Sequence, residues 1–195
     1  MLRERLLTPT AYFPPATWLT AAAAAGGWDW QAQENYQKGG WRNRARIVGP
    51  NGEQLLSVPL VKGKHQKLPV REVRISYRTD WDRRHAQAIR TAYGRAPYFE
   101  YFAPELLDVL LGRPTYLHEL NDALLQTIVR QLRWPVRPEA LSHFVTPGAA
   151  GYRRPEDLPA SLPPYPQVFT DRHGFVGGLS VLDALFCLGP QLSAR

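Results

Sequence analysis

The residue pattern predicts an α+β fold: an N-terminal, mainly antiparallel sheet with a hairpin near residues 42–60, followed by a helical second half. The N-terminal half alternates apolar and polar residues with period two, which is typical of strands. Asn51-Gly52 separates two such segments and supplies the positive φ angles of a tight turn. Beyond Thr79 the apolar residues recur every three to four positions, as on one face of a helix.

Local signals place the N-terminal elements. Residues 5–8 form a short predicted strand, and residues 28–33, which alternate large and polar side chains, form a second one. Between them, Pro14-Pro15 can open a helix over residues 16–25, because proline suits a first helical turn and alanine propagates a helix well. Residues 70–77 alternate again and predict a further strand.

Helical spacing dominates from Thr79 onward. The predicted helices begin near residues 80, 97 and 116, and a closing helix follows Ser180, which is a suitable cap. The segment 135–166 is rich in proline and is predicted to be a long ordered loop.

The 195 residues suit one domain with a real hydrophobic core. A single cysteine, Cys187, excludes an internal disulfide, and prolines interrupt the apolar N-terminal residues, so a cytoplasmic protein without a membrane span is predicted. The net charge of +7 comes from residues 38–78, where ten basic residues against Glu53 and Glu72 give +8, while the rest of the chain carries −1. This excess favours an anionic partner, such as a nucleotide, a nucleic acid or an acidic glycan, unless it is simply a solvated basic face.

Familiar catalytic signatures are absent from the sequence. It contains no Walker-type phosphate loop, no GxGxxG, no GxSxG and no HExxH. The five histidines are scattered without paired ligand spacing, so no metal site is predicted and the cofactor stays unknown.

A dense polar segment at residues 34–44 holds most of the candidate site residues. Lys38, Arg42 and Arg44 supply positive charge suited to phosphate or carboxylate. Glu34 is either a general base or the ion-pair partner of Lys38.

Three further side chains could carry chemistry. If residues 42–48 form a strand, three arginines share one face and Asn43 lies on the apolar face, where it either binds a ligand or bonds a neighbouring loop. His85 shares a helix face with Trp81 and is either an acid–base group or a packing residue. Asp183 lies in the closing helix.

Several of these segments resemble the WbqC-like family. Residues 9–15 (PTAYFPP) are similar to its P-x-Y-F-P signature, and residues 36–44 (YQKGGWRNR) resemble its Y-Q-K-x-x-[WY]-x-N-R block. The tail at residues 174–186 (GFVGGLSVLDALF) is similar to G-F-x-x-N-L-S-I-L-D-L-L-F. The resemblance covers nearly the whole chain, but Gly178 stands where that tail usually has asparagine.

The resemblance implies a role in bacterial surface-polysaccharide and O-antigen biosynthesis, because WbqC-like proteins are encoded near such genes and some are labelled as glycine or aminoacyl transferases. The expectation is a transferase that moves an acyl or aminoacyl group onto an amino sugar or nucleotide-sugar. His85 or Glu34 would remove the amine proton, Asn43 would polarise the carbonyl, and Asp183 would orient a histidine or cap its helix. The residues expected to bind this anionic small molecule are Tyr12, Tyr36, Gln37, Lys38, Trp41, Arg42 and Arg44.

Two alternatives use the same residues differently. A nucleic-acid-binding module would combine the basic 38–78 segment with Tyr36, Trp41 and Tyr77 as stacking platforms. A non-catalytic scaffold of a glycan-assembly complex would need none of the catalytic assignments.

Overall fold

The computed structural model describes residues 4–61, 68–135, 137–146 and 149–194, which fold as a mixture of α and β. The strands are β1 (Arg5–Thr8), β2 (Trp28–Trp30), β3 (Arg44–Gly49), β4 (Gly52–Ser57), β5 (Pro138–Ala140) and β6 (Tyr152–Arg153). The helices are α1 (Ala16–Ala25), α2 (Trp81–Tyr93), α3 (Phe99–Leu111), α4 (Leu117–Gln131), α5 (Thr170–His173) and α6 (Val181–Leu188).

The main sheet is parallel, so the prediction of a mainly antiparallel sheet is wrong. It has four strands in the order β5-β2-β1-β6, with Leu6 opposite Trp28 and Trp28 opposite Pro138. The physical reason is the connection between β1 and β2, because a helical crossover through α1 returns the chain in the same direction. Two of the strands, β5 and β6, arise in the segment that was predicted to be a loop.

Helix α1 covers this sheet, and its termini agree with the sequence. Leu19 and Ala22 are fully buried where α1 packs against β1 and α6. The helix ends at Gly26, whose φ of 77° is the left-handed conformation that closes a helix. Strand β2 is buried along its whole length, as expected of a central parallel strand with both faces covered.

The predicted hairpin is confirmed and forms a separate two-stranded sheet. Strands β3 and β4 pair antiparallel with Gly49 opposite Gly52, and Gly52 takes the positive φ of 101° that the turn needs. The exposed Arg44 and Arg46 alternate with buried residues along β3. The strand begins at Arg44, so Arg42 lies outside the predicted arginine face.

The helical second half is also confirmed, with α2, α3 and α4 packed in succession and α6 near the C-terminus. The strand predicted at residues 70–77 is wrong. A 3-10 turn occupies Val70–Glu72, and Arg74 and Ile75 then form single bridges with Tyr116 and Leu60. The sequence alternates there, but no strand among the described residues pairs with it along its length. In the part of the chain that the structure describes, no helix combines the length and apolar character needed to cross a membrane.

We expect the pairing register of β4 to decide which of two adjacent leucines stabilises the fold. Leu56 is 2% exposed and Leu55 is 53% exposed. Leu56→Ala should lower the free energy of unfolding by about 2–5 kcal/mol, because it empties a packed site. Leu55→Ala, the matched control, should change it by less than about 0.5 kcal/mol. Urea denaturation measures both values, and a larger loss for Leu55→Ala would mean that the register is shifted by one residue.

Candidate functional site: a cleft at the carboxyl edge of the parallel sheet

A cleft of about 580 Å³ opens where the strands of the parallel sheet end. Pro9, which directly follows β1, contributes to its wall, as do residues 40–42 from the loop after β2. Residues 155–161 of the segment after β6 also line the cleft, with the exception of Asp157. Gly177 and Gly178 complete the wall. The cleft is therefore assembled from loops that the sheet brings together rather than from one motif.

The strand order explains why a cleft forms here. From β1 the chain moves to β2 and then to β5 in one direction, and it returns to β6 on the other side of β1. Loops diverge at such a reversal, and in open parallel sheets ligands bind in the resulting crevice at the carboxyl ends of the strands. The cleft lies between the segments that follow β1 and β6, which makes it the first choice for a binding site in this fold.

The polar segment after β2 is held by a buried ion pair. Arg42 donates two hydrogen bonds to Glu34, from Nε to Oε1 at 2.9 Å and from Nη2 to Oε2 at 2.7 Å. Their side chains are only 10% and 11% exposed. Glu34 thus pairs with Arg42 and not with Lys38, and each charge of this pair satisfies the other.

Asn43 lies in a second network beside the ion pair. Its Oδ1 accepts a hydrogen bond of 3.0 Å from the Tyr36 hydroxyl, and its Nδ2 donates to the carbonyl of Val58 at 2.9 Å. Burial raises the pKa of Tyr36, which therefore stays protonated as a donor. Asn43 therefore bonds the backbone just after β4, and a bond to a neighbouring loop was one of the two interpretations open from the sequence.

Asn121 is a residue that sequence reasoning missed. It projects from α4 and donates from Nδ2 to the Thr10 hydroxyl at 3.1 Å and to the Arg42 carbonyl at 2.8 Å. These bonds tie the loop after β1 to the loop after β2. The available signal was a polar residue among the leucines on the buried face of α4.

Tyr12 and His85 form a buried pair, with 2.9 Å between the Tyr12 hydroxyl and His85 Nδ1. Burial lowers the pKa of His85 to about 4, although the nearby Asp82 opposes this shift. Burial also raises the pKa of Tyr12 well above its ordinary value, so both groups are neutral near pH 7. The Tyr12 amide donates to the Trp41 carbonyl at 2.8 Å, which joins the two N-terminal motifs.

Asp183 is fully buried at the start of α6. Its Oδ2 accepts hydrogen bonds of 2.7 Å from both the Tyr165 hydroxyl and the Gln167 amide. Burial raises the pKa of Asp183, against the effect of these bonds. Gln167 also bonds both backbone groups of Val176, so the network positions the segment that leads to Gly177-Gly178.

The structure does not bring the predicted site residues into one place. Of the eleven residues predicted, Trp41 and Arg42 line the cleft, where the exposed Arg46 joins them. Gln37, Lys38 and Arg44 are exposed and lie outside the cleft wall. Lys62, Lys64 and Lys67 of the basic segment fall outside the described residues. Within the described ranges, no three His, Cys, Asp or Glu side chains are grouped to hold a metal ion.

Comparison with known proteins decides the family. The sequence model of the WbqC-like protein family matches residues 10–151, most of the chain. The chain belongs to the WbqC-like family. The matched region contains the hairpin, the ion pair and the Tyr12–His85 pair of this WbqC-like protein, whereas residues 155–161 and 177–178 of the cleft lie beyond it.

The chain is also similar to part of a mycobacterial protein. The chain is 40% identical over 100 residues to the uncharacterized protein Rv1507c of Mycobacterium tuberculosis. The match spans 50% of this chain and 42% of that protein, so it covers less than half of the relative's length. No solved structure matches the chain.

The low pKa of His85 makes stability depend on pH. Between its ordinary value of 6.5 and about 4, the unfolded chain binds a proton at His85 that the folded chain does not. The free energy of unfolding should therefore fall as pH drops through this window, by up to about 3 kcal/mol. Urea denaturation at pH 7.0, 5.5 and 4.0 measures this slope.

The matched variants are His85→Gln, which should lose most of that slope, and His143→Gln, an exposed histidine whose replacement should keep it. Equal slopes in the two variants would contradict the assignment to His85.

Proposed function

We propose that this WbqC-like protein binds an anionic sugar derivative in the cleft and transfers an acyl or aminoacyl group to its amine during bacterial surface-glycan assembly. The observation that carries the proposal is the position of the cleft at the reversal of strand order, between loops rich in polar and aromatic residues. The glycan setting rests on the resemblance to WbqC-like proteins encoded beside polysaccharide genes.

The lining suits a sugar. Trp41 is a partly buried indole on the cleft wall, and aromatic rings offer a flat apolar surface to a sugar or base. Trp18 also lines the cleft but is only 5% exposed. Arg42 and Arg46 add positive charge for an anionic group, Arg46 more freely because Arg42 is held by Glu34. A volume of about 580 Å³ lies within the range of small-molecule pockets.

Acyl transfer requires a base at the cleft. The acceptor amine attacks the carbonyl carbon of an activated donor such as a thioester, the C–N bond forms, and the thiolate leaves with the C–S electron pair. The proton released from the amine must pass to a base. Glu156 is an exposed carboxylate on the cleft wall, and in this proposal it accepts that proton.

The predicted catalytic residues then act by positioning. Glu34 orients Arg42, and Asn43 holds the loop that carries Trp41 against the hairpin. Asp183 holds the segment leading to Gly177-Gly178 through Gln167. His85 holds Tyr12, whose amide bonds the Trp41 carbonyl.

Trp41→Ala should weaken binding of UDP-glucosamine by about tenfold or more, because it removes the partly buried indole from the cleft wall. Isothermal titration calorimetry measures the affinity. Tyr101→Ala is the matched control, since Tyr101 is 64% exposed and lies outside the cleft. Equal affinities in the two variants would place the sugar elsewhere.

Glu156→Gln should separate chemistry from binding. It removes a proton acceptor at nearly constant size, so kcat for acyl transfer should fall by about 10²–10⁴ while the affinity for the acceptor stays within about threefold. Mass spectrometry of the acylated sugar measures turnover. Glu72→Gln, an exposed glutamate away from the cleft, should leave turnover unchanged.

Binding only of RNA, lost at high salt, would instead support the nucleic-acid module.

A further inference from the structure

We infer that the N-terminus of α1, together with Thr17 and Arg46, forms a phosphate subsite in the cleft, so that the acceptor is a phosphorylated amino sugar. This inference deepens the proposed function and rests on it for the sugar. The inference goes beyond the proposed function by assigning an anion to a defined set of cleft residues that the sequence motifs do not include.

The first turn of α1 has no side-chain cap and no acidic residue to offset the partial positive charge of the helix N-terminus. Pro15 occupies the N-cap position and provides no side-chain hydrogen bond, and no acidic residue lies in the first turn. The amide of Thr17 has no backbone acceptor among the described residues. Helix N-termini carry partial positive charge and free N–H donors, which is why they bind phosphate. Pro15, Thr17 and Trp18 place this end of the helix on the cleft wall.

Thr17 is a second and independent indication of a ligand. It is only 7% exposed and lines the cleft, yet its hydroxyl makes no hydrogen bond within the ranges that the structure describes. Because Thr17 lines the cleft and its hydroxyl bonds no other group of the described chain, the hydroxyl is available to donate to an acceptor from outside the chain. A phosphate oxygen is such an acceptor.

Arg46 supplies the full positive charge. It forms an ion pair with Glu53 at the surface, where the two side chains are 45% and 47% exposed. Pairs this exposed contribute little, so the guanidinium can exchange Glu53 for a phosphate at small cost. Arginine also offers the forked donors that match phosphate geometry.

Gly178 keeps the space beside Arg46 open. A Cβ at this position would lie 3.7 Å from Arg46 Nη1 and 3.2 Å from the carbonyl oxygen of Ala160. Its φ of 67° is also a conformation that glycine adopts without strain. Glu156 also lines the cleft, so the cleft offers cationic groups for a phosphate and a carboxylate for an amine. This combination matches a phosphorylated amino sugar.

The test measures affinity for inorganic pyrophosphate, glucosamine 1-phosphate and unphosphorylated glucosamine by calorimetry at 150 mM NaCl. Arg46→Ala should weaken pyrophosphate and glucosamine 1-phosphate binding by about tenfold to a hundredfold, because it removes a charge-assisted hydrogen bond. Arg44→Ala is the matched control, since it removes the same charge from an exposed position on the same strand but outside the cleft. It should change the affinity by less than about twofold.

A second pair of variants tests the helix end. Thr17→Val removes the hydroxyl at nearly constant volume and should weaken pyrophosphate binding by about threefold to tenfold. Thr20→Val, on the same helix but away from the cleft wall, should not weaken it. Circular dichroism and thermal melting confirm that all four variants fold.

The outcomes separate the subsite from the proposed function. Equal losses in Arg46→Ala and Arg44→Ala would show diffuse attraction and overturn the subsite, as would failure of both phosphorylated probes to bind the unaltered protein. Glucosamine binding without any gain from its phosphate would overturn the subsite but leave the proposed function standing. Pyrophosphate binding lost in Arg46→Ala, with no acyl transfer to any sugar, would support the subsite and contradict the transferase. Tighter binding of pyrophosphate than of glucosamine 1-phosphate would support the subsite with a nucleotide-linked sugar as its occupant, and the reverse order would support it with a sugar phosphate.

Discussion

The buried ion pair between Glu34 and Arg42 fixes the loop on which the cleft depends. Either charge alone would cost several kcal/mol to remove from water, so the two side chains can be buried only together and in a bidentate geometry. Asn121 then holds the Arg42 carbonyl, and the Tyr12 amide holds the Trp41 carbonyl. Bonds from the loop after β1, from Glu34 and from α4 together fix the position of Trp41.

Irregular loops at the carboxyl edge of a sheet carry backbone and side-chain polar groups that must be satisfied when they are buried. In this chain the conspicuous motif residues do so for one another: Tyr36 with Asn43, Tyr12 with His85, and Asp183 with Gln167. His85 and Tyr12 are neutral near pH 7 because charging either in its buried position is unfavourable. These side chains hydrogen-bond one another and so hold the loops in place. On the cleft wall, Arg46 has only an exposed ion-pair partner.

The sequence predicted the elements whose signals are local. The hairpin depends on Asn51-Gly52, and α1 depends on the prolines before it and the alanines within it, so neighbouring residues decide both. Parallel pairing depends instead on distant segments. Strands β5 and β6 have three and two residues, too few to show a period, and they lie among prolines. Residues 70–77 alternate as a strand would, but within the described ranges they form only single bridges.

The same distinction applies to the site. From the sequence, Arg42, Arg44 and Arg46 are equivalent, because they are spaced as one face of a strand. The strand begins only at Arg44, so the chain turns Arg42 inward to Glu34, eight residues earlier, and leaves Arg46 on the cleft wall. The concentration of polar residues in the sequence therefore located the loop, but it did not identify the groups that are available to a ligand. Those groups have weak ties within the chain: the Thr17 hydroxyl has no hydrogen-bond partner among the described residues, and the Arg46 guanidinium has an exposed partner, Glu53.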